Sequence, residues 1–336
     1  MSEISSEDRT AMRETFARLL AEQAGDEALR ETMASPHGFD ENFWKSMAEI
    51  GLLGLIVDPE YGGIGGDGQI LEDLMEEAGA HLLCSPFIST AVIAASLISA
   101  SSDESLKSEL LSSICDGTKI FAIAATGEQG LWSNADISVE AHQKDDEWIL
   151  DGTASFVLHA EKADRLLVFA RADGNIRVFL IDPETETVEV QNLEANDPTL
   201  RLSKINFSMA HAQPLAGVDE TAIETALDLA KVALAGEQAG GLKKIFDLTV
   251  EYLKTRYQFG RQIGSYQSLK HMAADMLIDV ESAASAARHA AKLQAAESPE
   301  AKAYISLAGI VTLTWSRRKI GNGLMIRHSG PHLSNR

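Results

Sequence analysis

Arg256-Tyr-Gln-Phe-Gly-Arg-Gln-Ile-Gly-Ser-Tyr-Gln267 separates two long stretches of helical periodicity. Upstream, Val232, Ala235, Ala239, Leu242, Ile245, Thr249 and Leu253 recur at steps of three and four, which draws one buried stripe along a helix. Downstream, Leu269, Met272, Met276, Val280, Ala283 and Ala287 draw another. A linker this short predicts an antiparallel helical hairpin. Gly260 is expected to end the first helix as a C-cap, since glycine enters the left-handed region without steric cost. The tip then carries Arg256, Gln258, Phe259 and Gln267, residue types suited to a flat, anionic ligand; an ordinary polar turn uses the same types.

The rest of the chain divides by pattern into helix, strand and helix. Residues 1 to 116 read as an α-helical domain, with Arg9 to Leu29 amphipathic and Asp40 placed to N-cap a helix bearing Phe43, Trp44, Met47 and Ile50. From 117 to 216, seven short runs alternate with turn formers: Lys119–Ala125, Ile137–Ala141, Glu147–Leu150, Leu166–Ala170, Ile176–Ile181, Thr187–Gln191 and Leu202–Phe207. That spacing predicts a small β-barrel or sandwich rather than a parallel sheet. Lys144-Asp145-Asp146, Asp151-Gly152, Asp173-Gly174-Asn175 and Asp182-Pro183 supply the turns. Residues 217 to 336 return to helix, as a C-terminal bundle. The fold class is therefore α+β.

Gly63-x-Gly65-x-x-Gly68 matches a dinucleotide fingerprint letter for letter. A Rossmann site needs a strand before those glycines and a second parallel strand after the helix. Pro59 and Glu60 part the apolar run from the glycines, and Thr90 to Ser99 reads as helix, so the Rossmann reading is disfavoured.

With 336 residues and a net charge of −21, the chain has core enough for several domains and the wrong sign for nucleic acid or an anionic membrane. Cys84 and Cys115 are far apart and suggest neither a disulfide framework nor a metal site. His328 and His332 flank Gly330-Pro331, which breaks any helix that would pair them on a metal. A basic leader followed by an apolar core is absent from MSEISSEDRTAMRE, and SPFISTAVIAASLISASS suits a buried helix better than a membrane span. A cytoplasmic protein is the expectation.

The run TRYQFGRQIGSYQSLKHMAADM, with AGEQAGG upstream, closely resembles the acyl-CoA dehydrogenase family, and GLLGLIVDPEYGG resembles that family's N-terminal domain. The resemblance implies an α-helical domain, a β-barrel and a four-helix-bundle-like domain, an FAD cofactor, an acyl-CoA substrate and electrons passed to an electron-transfer flavoprotein. By the same likeness Arg256 would bind the FAD pyrophosphate across a subunit boundary. Gln258, Phe259, Ile263, Tyr266 and Gln267 would line the adenine end. A homodimer or tetramer, or a heterotetramer with a second dehydrogenase-like subunit, is implied, acting on a fatty or steroid side chain.

This sequence departs from the family's pattern in four places. The family's flavin loop reads Thr-Glu-Pro-x-x-Gly-Ser-Asp; here Thr126 and Asp136 bracket a longer, different middle. The strand that stacks beside the flavin keeps an aromatic at Phe156 but has Leu158 where a hydroxyl would be. The glutamate that takes the substrate α-proton falls, by spacing from Phe259, at Ala230, and the tail after Glu300 holds no acid. Glu237, two turns on, is a candidate displaced base; an ordinary ion pair or packing role competes for it. The tail is altered from about residue 318, with Gly321-Asn-Gly323 the nearest echo of a glycine turn. The implied activity is thus α,β-desaturation by one subunit of a heteromeric enzyme, with a catalytically silent partner or a flavin monooxygenase on the same scaffold as alternatives.

Overall fold

The computed structural model describes residues 4–328, with side chains described as far as Thr314. Residues 329–336, including His332, lie outside the described residues, whereas Gly321-Asn-Gly323, expected as the echo of a glycine turn, falls inside the last helix, Ala301–His328. Two compact units divide the chain.

The first unit comprises Gln23–Gly66 and Cys84–Ala230. Its sequence opens on α2 (Asp26–Ala34) and α3 (Glu41–Glu49). The single helix expected from Arg9 to Leu29 is two: α1 (Ser6–Gln23) stops before Gly25, whose extended backbone (ψ 175°) restarts the chain as α2. Asp40 caps α3 as expected, its carboxylate accepting from the backbone N–H of Asn42 (2.7 Å) and Phe43 (3.2 Å). The cap orients Phe43, Trp44 and Met47 inward, all 4% exposed or less. Ile50 lies past the end of the helix and is exposed.

Two 3₁₀ turns, Leu52–Gly54 and Pro59–Tyr61, precede the glycine run, where a Rossmann unit would have a strand. The run folds back on its own chain. Gly63 N–H donates to Asp58 O (3.2 Å), Ile64 N–H to Gly54 O (2.9 Å), Gly65 N–H to Val57 O (2.8 Å) and Gly66 N–H to Leu55 O (2.7 Å). The stretch expected as helix around Thr90 is a π-helical segment, Ile88–Ala94, running into α5 (Ala95–Ser99); α6 (Glu104–Cys115) follows.

Seven strands occupy the middle of the chain: β1 (Phe121–Ala124), β2 (Glu140–Lys144), β3 (Glu147–Leu158), β4 (Arg165–Ala172), β5 (Asn175–Ile181), β6 (Val188–Leu193) and β7 (Leu202–Pro214). Pairings β4–β2, β2–β3, β3–β7, β7–β5 and β5–β4 close a five-stranded ring. A ring removes most sheet edges, which is why short strands settle into it. The ring is antiparallel except at Glu140↔Arg171; β1 runs parallel to β4 alongside Arg165 to Val168, and β6 pairs β7. Asp145-Asp146 and Asp173-Gly174 all have positive φ, so both are two-residue primed turns, as the sequence suggests. Asp151-Gly152 is not a turn. It is an irregularity inside β3, where Gly152 (φ 127°) lets a twelve-residue strand bend without ending.

Alternation along β1, β4 and β5 feeds two cores. Ala122, Ala124, Leu166, Val168, Phe179 and Ile181 fill the barrel with Ile205 and Phe207. Their neighbours Phe121, Ile123, Leu167, Phe169 and Val178 face the other way, onto Leu97, Ile98, Leu110 and Ile114 of the helices.

The second unit holds α1, Asp67–Leu83 with α4 (Gly68–Ala80), and the chain from Lys231. It contains most of α7 (Glu220–Thr255), α8 (Gln267–Ala295) and α9 (Ala301–His328). Leu253 packs with Met276, Leu242 with Val280 and Ala283, and Val232, Ala235 and Ala239 with Ala284 to Ala291, so α7 and α8 are antiparallel as expected. Alanine dominates the far end of this seam, and small side chains bring the helix axes close. At the α4–α7 crossing, contact is backbone to backbone. A Cβ on Gly240 would sit 1.8 Å from Glu76 O, and one on Gly79 1.8 Å from Glu237 O.

Candidate functional site

The linker between α7 and α8 is a miniature β-hairpin. α7 ends at Thr255, and β8 (Tyr257–Gln258) pairs β9 (Arg261–Gln262). Phe259 (φ 53°) and Gly260 (φ 79°) form its two-residue turn. Gly260 is therefore a turn glycine of the primed type and not the helix cap expected from the sequence. The positive φ was inferred correctly; the element it serves was not.

The hairpin is fixed from below. Ile263 N–H donates to Arg256 O (2.9 Å), and the Tyr266 hydroxyl donates to Gln258 O (3.2 Å). Ile263 is buried against Leu253 and Met276, so it anchors the hairpin and presents no surface. Gly264 is required there, because a Cβ would meet Leu253 O at 2.7 Å. Arg261 stacks on the Tyr266 ring, 4.0 Å from its centroid. Gln267 is exposed at the first turn of α8.

Two groups of this hairpin are left unspent. Phe259 is 89% exposed, an unusual position for a ring on a rigid turn. Arg256 is half-buried, and its Nε is fully buried without a hydrogen-bond partner. An orphaned guanidinium nitrogen costs free energy unless something accepts from it, and phosphate oxygens are the best-matched acceptors. These features fit the pyrophosphate of a dinucleotide with a flat ring beside it.

In the first unit, Thr126 is buried, and its hydroxyl donates to Ser155 O (2.5 Å). Thr126 thus joins the loop to β3 and has spent its donor. Asp136 organises the loop, accepting from the backbone N–H of Gly127 (3.1 Å), Gln129 (3.3 Å) and Leu131 (2.7 Å). Phe156 sits at a register shift in β3 with φ 58° and stays 45% exposed. Leu131 and Trp132 are exposed as well. A Cβ on Gly130 would lie 2.9 Å from the Phe156 ring, so the loop lies directly against this aromatic.

Ala230 and Glu237 are seven residues apart along α7 and fall in different units. Ala230 is buried in the core of the first unit with Ile223 and Ala226, whereas Glu237 belongs to the second. The Glu237 carboxyl is half-buried and has no hydrogen-bond or ion-pair partner among the described residues; burial pushes it up to about 7. The ion-pair role weighed for it is thus not realised there.

Another acid escaped the sequence reading. Glu72 on α4 is 1% exposed, and LEDLMEE reads in the sequence as a solvated acidic face. Only the spacing of Gly236 and Gly240 hinted that a helix would press on it. No group of three metal-ligating side chains occurs among the described residues. Nor is any described helix long and apolar enough to cross a membrane.

Comparison with known proteins adds a second line of evidence. The family model described as "Acyl-CoA dehydrogenase, N-terminal domain" matches residues 6–118, and "Acyl-CoA dehydrogenase, C-terminal domain" matches 220–322. The chain is 29% identical over 323 residues to acyl-CoA dehydrogenase IpdE2 of Mycobacterium tuberculosis, covering 92% of this chain and 87% of that one. Among solved structures, a steroid ACAD variant, Tcur3481–Tcur3483 G363A, superposes with a TM-score of 0.82 at 25% identity, over 96% of this chain and 90% of that one. The ChsE4–ChsE5 complex from Mycobacterium tuberculosis gives 0.88 at 23% identity, over 98% and 88%. A glutaryl-CoA dehydrogenase from Mycobacterium smegmatis in complex with FADH2 gives 0.87 at 18% identity, over 97% and 86%.

Proposed function

The chain belongs to the acyl-CoA dehydrogenase family, flavoprotein oxidoreductases acting on CH–CH bonds, and from that premise we propose that it is one subunit of an FAD-dependent, heteromeric acyl-CoA dehydrogenase. The observation that carries this reading is the unspent Arg256 Nε in the same short linker as the exposed Phe259. Arg256 would hold the pyrophosphate of a neighbouring subunit's FAD and Phe259, Gln258 and Gln267 its nucleotide end, with Tyr266 and Ile263 keeping the hairpin rigid, while Phe156 would offer the flavin face in the first unit. When bound, FAD would supply the acceptor for the substrate β-hydride. Electrons would pass on to an electron-transfer flavoprotein. A polycyclic, steroid-derived acyl-CoA is the favoured substrate class, because a steroid ACAD is among the structural relatives.

Ala230 has no carboxyl with which to take the α-proton, so a second, dehydrogenase-like subunit supplies the base. The two-protein complex among the structural relatives supports this assembly. Co-expression with candidate partner chains, followed by flavin-to-protein stoichiometry and enoyl-CoA formation, tests it. Flavin bound by the pair, with turnover only in the pair, is the expected result; a colourless pair refutes the cofactor assignment.

One observation favours the alternative in which this chain is catalytic by itself: Glu237 has no ion-pair partner among the described residues and is pushed up to about 7. A base must be ionised to take a proton, so kcat/KM would then rise with pH through about 7 and level above it. Glu237→Gln would abolish turnover. Unchanged turnover in that variant returns the base to the partner.

A further inference from the structure

Glu72 lies where α4 meets α7 and α8, and its surroundings are short of positive charge. On α4 its neighbours are Asp73, Glu76 and Glu77; α1 brings Arg9 and Arg13, α8 brings Arg288, and α7 brings Glu237 beside Gly236. Arg288 Nη2 donates to both Glu76 oxygens at 3.0 Å. Arg13 lies 2.7 Å from Glu77 and 3.4 Å from Glu76, and Arg9 pairs with Asp73. The three guanidinium groups are thus committed to the other three acids, and Glu72 has no cation paired with it among the described residues.

Packing prevents Glu72 from reaching water. A Cβ on Gly236 would sit 2.8 Å from Glu72 O and 3.2 Å from Glu72 Cγ, so the α7 backbone is pressed onto the stem of the side chain. Glu72 Oε1 and, on α8, Gln294 Oε1 are both buried without a hydrogen-bond partner. A carboxylate so placed would be desolvated, unpaired and beside like charges. We propose that Glu72 is folded as the neutral carboxylic acid and that its proton latches the α4–α7 crossing. Loss of that proton to solvent shifts the crossing toward an opened form in which the carboxylate is hydrated.

The electrostatics agree. Burial, then Glu76 and Asp73, push the Glu72 carboxyl up to about 8, against the opposing pull of Arg288 and Arg13. In the opened form the group returns to the ordinary carboxylate value of 4.5. A group whose closed-state value is raised contributes stability that is full below the open-state value and lost as pH climbs to the closed-state one. The opening constant therefore grows about tenfold per pH unit across that window and is level above about 8.

Hydrogen exchange of the α4 amides, corrected for intrinsic base catalysis, tests the latch in the purified full chain. Between about pH 6 and pH 8, with Glu237→Gln as the common background so that the other raised carboxyl does not titrate, the opening constant of the chain that is wild-type at 72 is expected to rise on the order of 50- to 100-fold, while the chain with Glu72→Gln stays flat. Parallel curves in the two proteins, or a flat curve with Glu72 intact, overturn the proposal. If Glu72→Gln does not fold, infrared spectroscopy of Glu237→Gln, which lacks the other raised carboxyl, decides. A protonated-carboxyl C=O band lost with a midpoint near pH 8 supports the latch, and absence of the band near pH 6 refutes it.

Discussion

Two glycine-bearing turns of this molecule invite the same reading in the sequence, and they differ in what they have left to offer a ligand. Around Gly63 and Gly65, each backbone N–H that a phosphate would need is donated to a carbonyl of the same loop, at 2.7 to 3.2 Å. Around Gly260, the strand residues on either side of the turn are paired, yet a guanidinium nitrogen is buried without a hydrogen-bond partner and an aromatic ring stands 89% exposed. The first turn is finished by its own chain, and the second keeps groups that its own chain does not use. A motif written in residue letters reports which groups exist; only the fold reports which are still unspent.

Substitutions can break this comparison. The largest effect is expected for Gly63→Ala, whose Cβ would meet Val57 O at 2.0 Å. Displacing a buried backbone should cost about 3 kcal/mol or more of unfolding free energy, read by denaturant titration. Flavin content per folded chain should not change, and a selective loss of flavin would make this loop a binding site after all. Next comes Arg256→Ala in the assembled enzyme. Removing a charge-assisted partner of phosphate should weaken FAD retention by about 2 kcal/mol, roughly 30-fold, with thermal stability held. Equal occupancy in mutant and wild type would refute the assignment. Phe259→Ala should raise the FAD dissociation constant several-fold, about 1 kcal/mol, and leave unfolding of the isolated chain untouched because the ring is 89% exposed. The smallest is Asp58→Ala, which removes the acceptor for Glu60 N–H and should cost about 1 kcal/mol of stability, with no effect on cofactor.

Much of the architecture was legible because it depends on periodicity. The stripes on α7 and α8 predicted their burial, and the seven strand runs appear where turn formers placed them. Failures came where one local signal serves two structures. Gly260 needs positive φ both as a helix cap and in a primed turn, and the sequence does not say which. Asp151-Gly152 looks like a hairpin turn and is an irregularity, because β7 pairs β3 on both sides of it. Gly25 looked tolerable inside α1 and instead breaks it. At the site, Arg256 and Phe259 stood out, but Ile263 proved an anchor and Thr126 a fastener. The isolation of Glu72 was invisible, since committing Arg9, Arg13 and Arg288 to other acids is settled by distances no sequence contains.

The closed ring of strands has a consequence for solubility. With β4, β2, β3, β7 and β5 each paired on both sides, β1 and β6 are the strands that keep one unpaired flank. β1 is fully buried, which leaves β6 as the place where a stray extended peptide would find a template. Glu189 on that strand adds charge to a chain already carrying −21, and incoming strands of the same protein would be repelled. Self-association through ribbons is thereby discouraged at the place where geometry would otherwise permit it.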